Sequence, residues 1–592
     1  MDRSEAPEIL KWNISDIYNS IDKFEADFQK IEKNCEKFAN FKGKLSNFED
    51  ILQYFHFNDE FEIILEKVSS YILLQHDIDL NNNLYIEYNE RLNILMAYLS
   101  NITSYIAPEL ASLSNDYYNS LLNDKRFDNY RYIIENIINN RKYILSEKEE
   151  TALSTINKFS NGFEEVYETL TQADFKFEPI IVKGKSEILT QSTYGKFIEN
   201  RDREIRTQAY NNLYKIFNQF SKSLALNYIN FVKMVSSDVE LRHTGCTFNQ
   251  IFNSKKIPKE LFYKLIENVN TFVGLEHKYF KLLKSTLNLN DFGFQDVYQS
   301  LSNDFDKKWN IDVQKETVFK ALSPLGCEYQ LLLKTAYENN WIDFCTNINK
   351  KSGGYMLGVY GVHPYILLND NGGYDSLSTL AHELGHAMHT YYSDTTQPYS
   401  KHNYATFIAE IASTVNEILL NKYMIKNAET DAEKLFYISH YLQSFKGTVF
   451  RQTMFAEFED FVYQKAEKNE ILSLDILDKK YKELLEKHFS DFVKIDNNII
   501  HEWTRIPHFY SPYYVFQYST SFISAVYIAN SILDGNLVIK EKFMNMLKSG
   551  SDGYPIDILK NAGVDLRKND TYIYAFDDFH KALELAEKLL NK

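Results

Sequence analysis

The chain has 592 residues, a formal net charge of -16 and many aromatic side chains, with 43 Tyr and 42 Phe. This acidity argues against nucleic acid or an anionic membrane surface as a main partner. Only 20 Gly and 10 Pro occur, which disfavours a strand-and-turn architecture and predicts a mainly α protein built of long helices.

The N-terminal segment and the cysteines predict a cytoplasmic protein. Residues 1–20 are polar, without the apolar stretch of a signal peptide, and no run of about 18 apolar residues predicts a transmembrane helix. The four cysteines are scattered and form no Cys-x-x-Cys pair. We therefore expect reduced and mostly buried thiols.

The first 200 residues predict amphipathic helices. Apolar residues recur there every three or four positions, most clearly in 21–40, 60–76 and 84–106. The segment 175–189 differs, because its apolar residues flank Lys183 and Gly184, and it predicts a short hairpin. We place an approximate domain boundary after this segment, between regions 1–195 and 196–592.

The second region is also helical in pattern, but it is interrupted at 351–373, where six glycines occur. Within this segment, 356–360 and 365–368 predict strands, and Pro364 predicts an edge position for the second of them. Further helices are expected over 375–393 and 404–426.

The helix predicted over 375–393, with Asp375 or Ser376 as its N-cap, carries the pattern HELGH at 382–386. Residues four apart lie on one helical face, so His382 and His386 can converge on one Zn²⁺ at about 2.0–2.1 Å from each nitrogen. Glu383 can then accept a proton from a water molecule that the ion polarises. The pattern predicts one zinc ion and a general base.

A catalytic zinc ion usually has a third protein ligand, which must come from elsewhere in the chain. The downstream candidates are His389, Asp394, His402, Glu410 and Glu417. His389 is two turns from His382, too far to share the ion with His386. A metzincin would need Gly at 389 and His at 392, where this chain has His389 and Tyr392, so that class is excluded.

Glu410 and Glu417 lie seven residues apart and therefore on one face of the helix predicted over 404–426. Glu410 is favoured as the ligand, because its neighbours Ala409 and Ala412 are small and apolar, as expected around a buried ligand. Glu417 then orients a ligand histidine or is a buried structural carboxylate.

A second cluster near residue 500 can supply donors for a developing oxyanion, which hydrolysis at a metal requires. His508 follows Pro507 and precedes an aromatic loop. Several phenols could join it, and the residues alone do not choose among them. They are Tyr510, Tyr513, Tyr514 and Tyr518.

Together, the segments 382–389, 407–417 and 505–510 resemble oligoendopeptidase F, of the thimet oligopeptidase family of zinc metallopeptidases. Shorter similarities extend over most of the chain, at 12–18, 364–369 and 450–455. The resemblance implies Glu383 as the base and His508 with a following tyrosine as oxyanion donors. The zinc ligands it implies are His382, His386 and Glu410.

The tyrosines that could donate to the oxyanion are ranked by a more distant similarity to another fold. The angiotensin-converting-enzyme fold places its catalytic tyrosine ten residues after its catalytic histidine, which ranks Tyr518 first, and Tyr514 is ranked second. The thimet branch spaces this loop differently, so both tyrosines remain candidates.

The resemblance also implies an elongated helical zincin-type fold, with zinc on the floor of a deep channel that admits short unfolded peptides. Region 1–195 would be the N-terminal helical part and 196–592 the catalytic domain. The glycine-rich strands would lie beside the zinc helix, where an extended peptide could add as a strand. The alternative is that these glycines have a structural role only and form a tight hairpin beside the zinc helix.

The expected function is hydrolysis of internal bonds in short unfolded peptides. One alternative is a dipeptidyl carboxypeptidase, which needs an anchor for a terminal carboxylate such as Arg451 or Arg505. The other alternative is a peptide-binding protein without catalysis. The sequence does not predict an oligomeric state.

Overall fold

The computed structural model describes residues 2–156, 159–302 and 307–592, and it is mainly α-helical, as predicted. The predicted periodic segments form helices, and the predicted hairpin pairs Ile180 with Glu187. Ser20 and Asn47 cap the first two long helices with their side-chain oxygens. The elements of this part are α1 Ile21–Cys35, α2 Phe48–Ile78, α3 Asn83–Ile102, α4 Ile106–Ala111, α5 Asn115–Asn123, α6 Arg131–Asn140, α7 Glu147–Ile156, α8 Gly162–Glu168, β1 Ile180–Val182, β2 Lys185–Glu187 and α9 Gln191–Ile198.

The next part of the chain begins with a 40-residue helix, α10. The side chain of Asp202 caps its first turn, and His243 ends it in a left-handed conformation with φ 55°. The helices of this part are α10 Arg203–Arg242, α11 Thr247–Phe252, α12 Lys259–Thr271, α13 Val273–Thr286, α14 Ile311–Ala321 and α15 Cys327–Glu338.

The glycine-rich segment forms strands, as predicted, but the edge position predicted for the strand after Pro364 was wrong. The strands β3 Ile342–Asp343, β4 Tyr355–Leu357 and β5 Tyr365–Leu367 make one sheet in the order β3-β5-β4. The strand after Pro364 is therefore central, because β3 adds to its other side in parallel. Pro364 precedes the paired residues and removes no ladder hydrogen bond.

The remaining chain is helical, and it includes the two helices predicted to carry the metal ligands. Gly373 is the N-cap of the first, so the expected cap at Asp375 or Ser376 was wrong, and both residues lie in its first turn. The helices are α16 Tyr374–Thr396, α17 Tyr399–His402, α18 Thr406–Asn427, α19 Asp431–Phe445, α20 Arg451–Glu467, α21 Leu474–Phe489, α22 Phe516–Leu533, α23 Leu537–Leu547, α24 Pro555–Asn561 and α25 Asp570–Leu590.

Buried side chains form two main cores joined by a small one. The first extends from Tyr18 to Ile134, and the larger one from Tyr167 to Ala586, with α16, α18 and α22 at its centre. A small cluster joins Trp12 and Leu74 to the three-stranded sheet. The division at residues 195 and 196 remains a prediction.

Among the described residues, no helix has both the length and the apolar character that crossing a membrane requires.

Candidate metal centre

The metal centre is built where α16 and α18 cross at unusually close range. A Cβ atom placed on Gly385 would lie 2.5 Å from Ser413 Cα and 2.7 Å from the Ala412 carbonyl oxygen. Asn416 of α18 also donates to the Ala381 carbonyl of α16 over 3.0 Å. Only glycine at position 385 permits this approach, which brings a carboxylate of α18 up to the histidines of α16.

The three predicted ligand side chains converge. His382 Nε2 and His386 Nε2 lie 3.1 Å apart, and the Glu410 Oε2 atom lies 3.5 Å from the first and 3.4 Å from the second. Within the described residues, this is the group of histidine, cysteine or carboxylate side chains whose geometry suits a metal ion. The downstream alternatives for the third position do not enter it.

Three other candidates for the third ligand, His389, Asp394 and His402, make contacts outside this group. His389 is fully buried and its ring stacks on Tyr404 with centroids 3.6 Å apart, and burial lowers its pKa to about 3. Asp394 and His402 pair with each other over 2.9 Å. These contacts agree with the exclusion of a metzincin-type third histidine.

Glu417 lies beside the centre, against the other ring nitrogen of a candidate ligand. Its carboxylate is hydrogen-bonded to His382 Nδ1, which leaves Nε2 facing the metal position. This is the contact expected of a carboxylate that orients a ligand histidine. Ser413, which the sequence analysis did not single out, donates to Glu410 Oε2 over 3.1 Å, and its sequence carries no signal for that role.

The electrostatics of the centre favour the charged forms of Glu410 and His382, and metal binding requires His382 to lose its added proton. Burial opposes the charge of Glu410, but His386, His382 and Ser413 outweigh it and lower its pKa to about 2. Burial likewise disfavours a charged His382, yet Glu417 raises its pKa to about 9. Burial raises the pKa of Glu383, and the charges of His382 and His386 oppose this shift; the residue is buried in α16.

The second cluster brings only two of the four candidate tyrosines to His508. Tyr510 accepts a hydrogen bond from Asn227 over 2.8 Å, and Tyr513 is buried and donates to Asp460 over 2.9 Å. The rings of Tyr514 and Tyr518 each lie 6.0 Å from the His508 ring, the first parallel and the second perpendicular.

Burial shifts the pKa values of Tyr518 and His508, and nearby groups also shift that of Tyr518. Burial first, and then Tyr514 and Glu410, raise the pKa of Tyr518, so this phenol senses the charge of the candidate metal ligand. Burial lowers the pKa of His508, which keeps its imidazole neutral at pH 7.

Besides a small cavity of about 20 Å³ lined by Glu417, two larger cavities border the elements of the centre. One of about 670 Å³ lies between α2, α3, α16 and α17, and is lined by Thr390 and Tyr404. The other, of about 280 Å³, is lined by Thr406 of α18 together with Tyr514 and Gln517. β4 lies at the rim of the cavity of about 670 Å³, where its last residue Leu357 is part of the lining.

Known proteins resemble this chain over its whole length. Residues 196–578 match the model of peptidase family M3, and residues 109–177 match that of oligopeptidase F. The chain is 34% identical to oligopeptidase PepF of Bacillus subtilis, covering 100% of this chain and 89% of that protein.

Two solved structures have the same fold. A putative peptidase from Chlamydophila abortus has a TM-score of 0.90 at 29% identity, with 99% of each chain covered. Oligoendopeptidase-F from Enterococcus faecium has a TM-score of 0.76 at 28% identity, covering 96% of this chain and 99% of that one.

Proposed function

The chain belongs to peptidase family M3 and is a metallopeptidase, and on that premise we propose that it is a zinc endopeptidase acting on internal bonds of short unfolded peptides. The observation that carries the proposal is the convergence of His382, His386 and Glu410 on one point, with Glu383 buried beside it. The relatives are named as oligopeptidases and oligoendopeptidases, and so the exopeptidase alternative is not favoured.

The spacing of the three ligand atoms supports zinc. In a tetrahedral site with bonds of about 2.0–2.1 Å, ligand atoms lie about 3.3–3.4 Å apart. The three separations here are 3.1, 3.4 and 3.5 Å. Two imidazoles and one carboxylate are also the ligand set of many catalytic zinc sites, and they leave the fourth position for water or substrate.

The chain's own side chains supply the proton transfers. A bound zinc ion would act as a Lewis acid and lower the pKa of water towards 7. Glu383 accepts the proton of the attacking water and returns it to the leaving amine. His508 and Tyr518 donate hydrogen bonds to the oxygen of the tetrahedral intermediate, and Tyr514 is the alternative phenol.

Substrate binding is proposed along the free edge of β4. In the sheet order β3-β5-β4, one side of β4 has no strand partner among the described residues, so an extended peptide can pair there through backbone hydrogen bonds. β4 packs on α16, where a Cβ atom on Gly354 would lie 3.0 Å from Thr379 Cγ2. A peptide at this edge therefore runs beside the helix that carries His382 and Glu383, and backbone pairing suits substrates of varied sequence.

The two larger cavities that border the elements of the centre are proposed as parts of one channel that excludes folded proteins. We also propose a cytoplasmic location, which the four free cysteines support. The expectation that they are mostly buried was wrong, because Cys35 is buried but Cys327 is exposed and the other two are half-buried.

A fluorogenic peptide assay with and without chelator tests the function. We expect cleavage that chelator abolishes and that Zn²⁺ restores, with cuts mapped by mass spectrometry at internal bonds. Cleavage that persists after complete metal removal would contradict the proposal, and so would release of C-terminal dipeptides only.

A further inference from the structure

We propose that Arg505 forms a carboxylate-binding subsite close to the reaction centre, which holds the C-terminal carboxylate or an acidic side chain of a bound peptide. The inference deepens the proposed function and rests on it for the identity of the ligand as a peptide. It is carried by the contacts of the guanidinium, by the charges around it and by its distance from His508.

Arg505 is half-buried, yet its guanidinium has no hydrogen-bond acceptor and no ion-pair partner in the described part of the chain. The neighbouring Arg451 differs, because it donates to Glu502 over 2.5 Å. A guanidinium is always charged and carries five N–H donors. Since burial without partners is unfavourable for such a group, Arg505 is available for an anionic ligand.

Its position is fixed without using those donors. The guanidinium carbon lies over the ring of Tyr194, 4.5 Å from its centroid, which is a cation–π contact that uses none of the N–H donors in a hydrogen bond. The Tyr167 phenol donates to the Arg505 carbonyl over 2.7 Å and anchors the backbone. The edge of the guanidinium, which a carboxylate can engage with two parallel hydrogen bonds, is therefore held in place in advance.

Glu502, the carboxylate whose charge acts on Arg505, is already engaged by other donors. Glu502 already accepts from Arg451, from Tyr481 over 2.6 Å and from Tyr214 over 3.3 Å. Burial works against the charge of Arg505, but the phenols of Tyr214, Tyr194 and Tyr298 and the Glu502 carboxylate raise its pKa overall. Two arginines thus share one carboxylate whose oxygens are engaged.

A lysine and a glutamate of opposite charge also lie near Tyr298. Lys446 Nζ lies 5.1 Å from the ring centroid of Tyr298, and the charge of Glu199 also acts on this phenol. Glu168 acts on the phenol of Tyr167 together with Arg505, but no carboxylate of the described residues pairs with the Arg505 guanidinium, and one carboxylate of a ligand would do so.

The subsite is within reach of a peptide that occupies the centre. Arg505 is three residues from His508, so their Cα atoms are at most about 11 Å apart. The ring of Tyr167, which holds the Arg505 backbone, also packs on Tyr510 with centroids 5.1 Å apart. An extended peptide advances about 3.3 Å per residue, and a carboxylate at Arg505 would therefore lie a few residues from the bond that is cut.

The test measures binding rather than turnover. In a metal-loaded Glu383→Gln background, calorimetry compares one peptide as free acid, as C-terminal amide, and as an amide with a single Gln→Glu change near its C-terminus. The same three peptides are then measured with Arg505→Gln added. Arg567→Gln is the matched control, because this exposed arginine pairs with Asp565 and, among the residues the structure describes, with no other carboxylate.

We expect a carboxylate to tighten binding at least about ten-fold, as a charge-assisted bidentate pair does. Preference for the free acid identifies the C-terminus as its source, and preference for the Glu-containing amide identifies a side chain. Arg505→Gln should reduce either preference to less than about two-fold, and Arg567→Gln should preserve it. Arg505→Lys, which keeps the charge but loses the fork, should retain part of it.

A carboxylate preference that survives Arg505→Gln would overturn the assignment, and so would its absence in the background protein. Failure of any peptide to bind would overturn it as well. Metal content and circular dichroism verify that the variants are folded, and Arg505→Lys provides the comparison if Arg505→Gln is not. Because binding is measured in a catalytically silent background, a failure of the proposed peptidase activity would be seen separately, in the cleavage assay.

Discussion

The phenol of Tyr518 donates a hydrogen bond to the phenol oxygen of Tyr514 over 3.2 Å. The two candidate donors are thus linked, and the charge of Glu410 acts on Tyr518. We predict that Tyr518→Phe lowers kcat about 10²–10³-fold with little change in KM, because it removes a donor used in the transition state. Steady-state kinetics on one peptide provide the measurement.

Two further variants serve as controls for this prediction. Tyr514→Phe should lower kcat by less than about ten-fold, and Tyr510→Phe, whose phenol is bound to Asn227, should leave kcat unchanged. A larger fall for Tyr514→Phe than for Tyr518→Phe would reverse the ranking of the two tyrosines.

Glu410 and Glu417 should respond differently to substitution. We predict that Glu410→Ala loses the metal, because it removes one of three ligands. Glu417→Gln should keep one ion per chain but bind it about 10–100-fold more weakly, since it alters the group that orients His382. Metal analysis and competition with a chelator measure both effects. Stoichiometric metal in Glu410→Ala would move the ligand role to Glu417.

The contact at Gly385 should be essential to the centre. An added Cβ would overlap the α18 backbone at Ser413, so Gly385→Ala should destabilise the protein by about 1–3 kcal/mol and weaken metal binding by moving Glu410. Gly274→Ala is the control, because a Cβ there meets nothing within 4 Å. Equal thermal stability and metal content in the two variants would refute the explanation.

The buried Lys446 gives a pH dependence to stability. Burial and then Arg451 lower its pKa to about 8, whereas an unfolded lysine titrates near 10.4. Below pH 8 both states are protonated and the folded state bears the full cost of the buried charge. As the pH rises from 8 to 10, folded Lys446 loses its proton first and the cost is relieved.

The wild type should therefore gain about 2 kcal/mol over Lys446→Met between pH 7 and pH 10. Urea unfolding of both proteins at the two pH values measures the difference, in which the titration of all other groups cancels. A difference between the two proteins that does not change with pH would contradict this account.

The sequence alone was enough to predict those parts of the centre that depend on helical spacing. The pattern at 382–386 places two imidazoles on one face, and Glu410 and Glu417 were both recognised on a second helix. The sequence did not show that Gly385 is the point where the helices cross, because the crossing depends on packing. Nor did it indicate Ser413, whose contact with Glu410 is one that any serine could make.

The errors in the fold have local causes. Pro364 suggested an edge strand, but the pairing partner Ile342–Asp343 is a two-residue strand that periodicity cannot reveal. Gly373 begins α16 without a side-chain cap, whereas the prediction relied on the usual preference for Asp or Ser. The residues alone could not rank the tyrosines, because four phenols follow His508 within ten residues and only tertiary contacts separate them.

The central claim is that Glu383 transfers protons at a metal held by His382, His386 and Glu410. The most direct measurement is peptide cleavage by Glu383→Gln, together with its metal content. We predict one zinc ion per chain and a kcat lower by several orders of magnitude, because the amide cannot accept the proton of the attacking water. Cleavage near the wild-type rate by a metal-loaded Glu383→Gln protein would contradict the account.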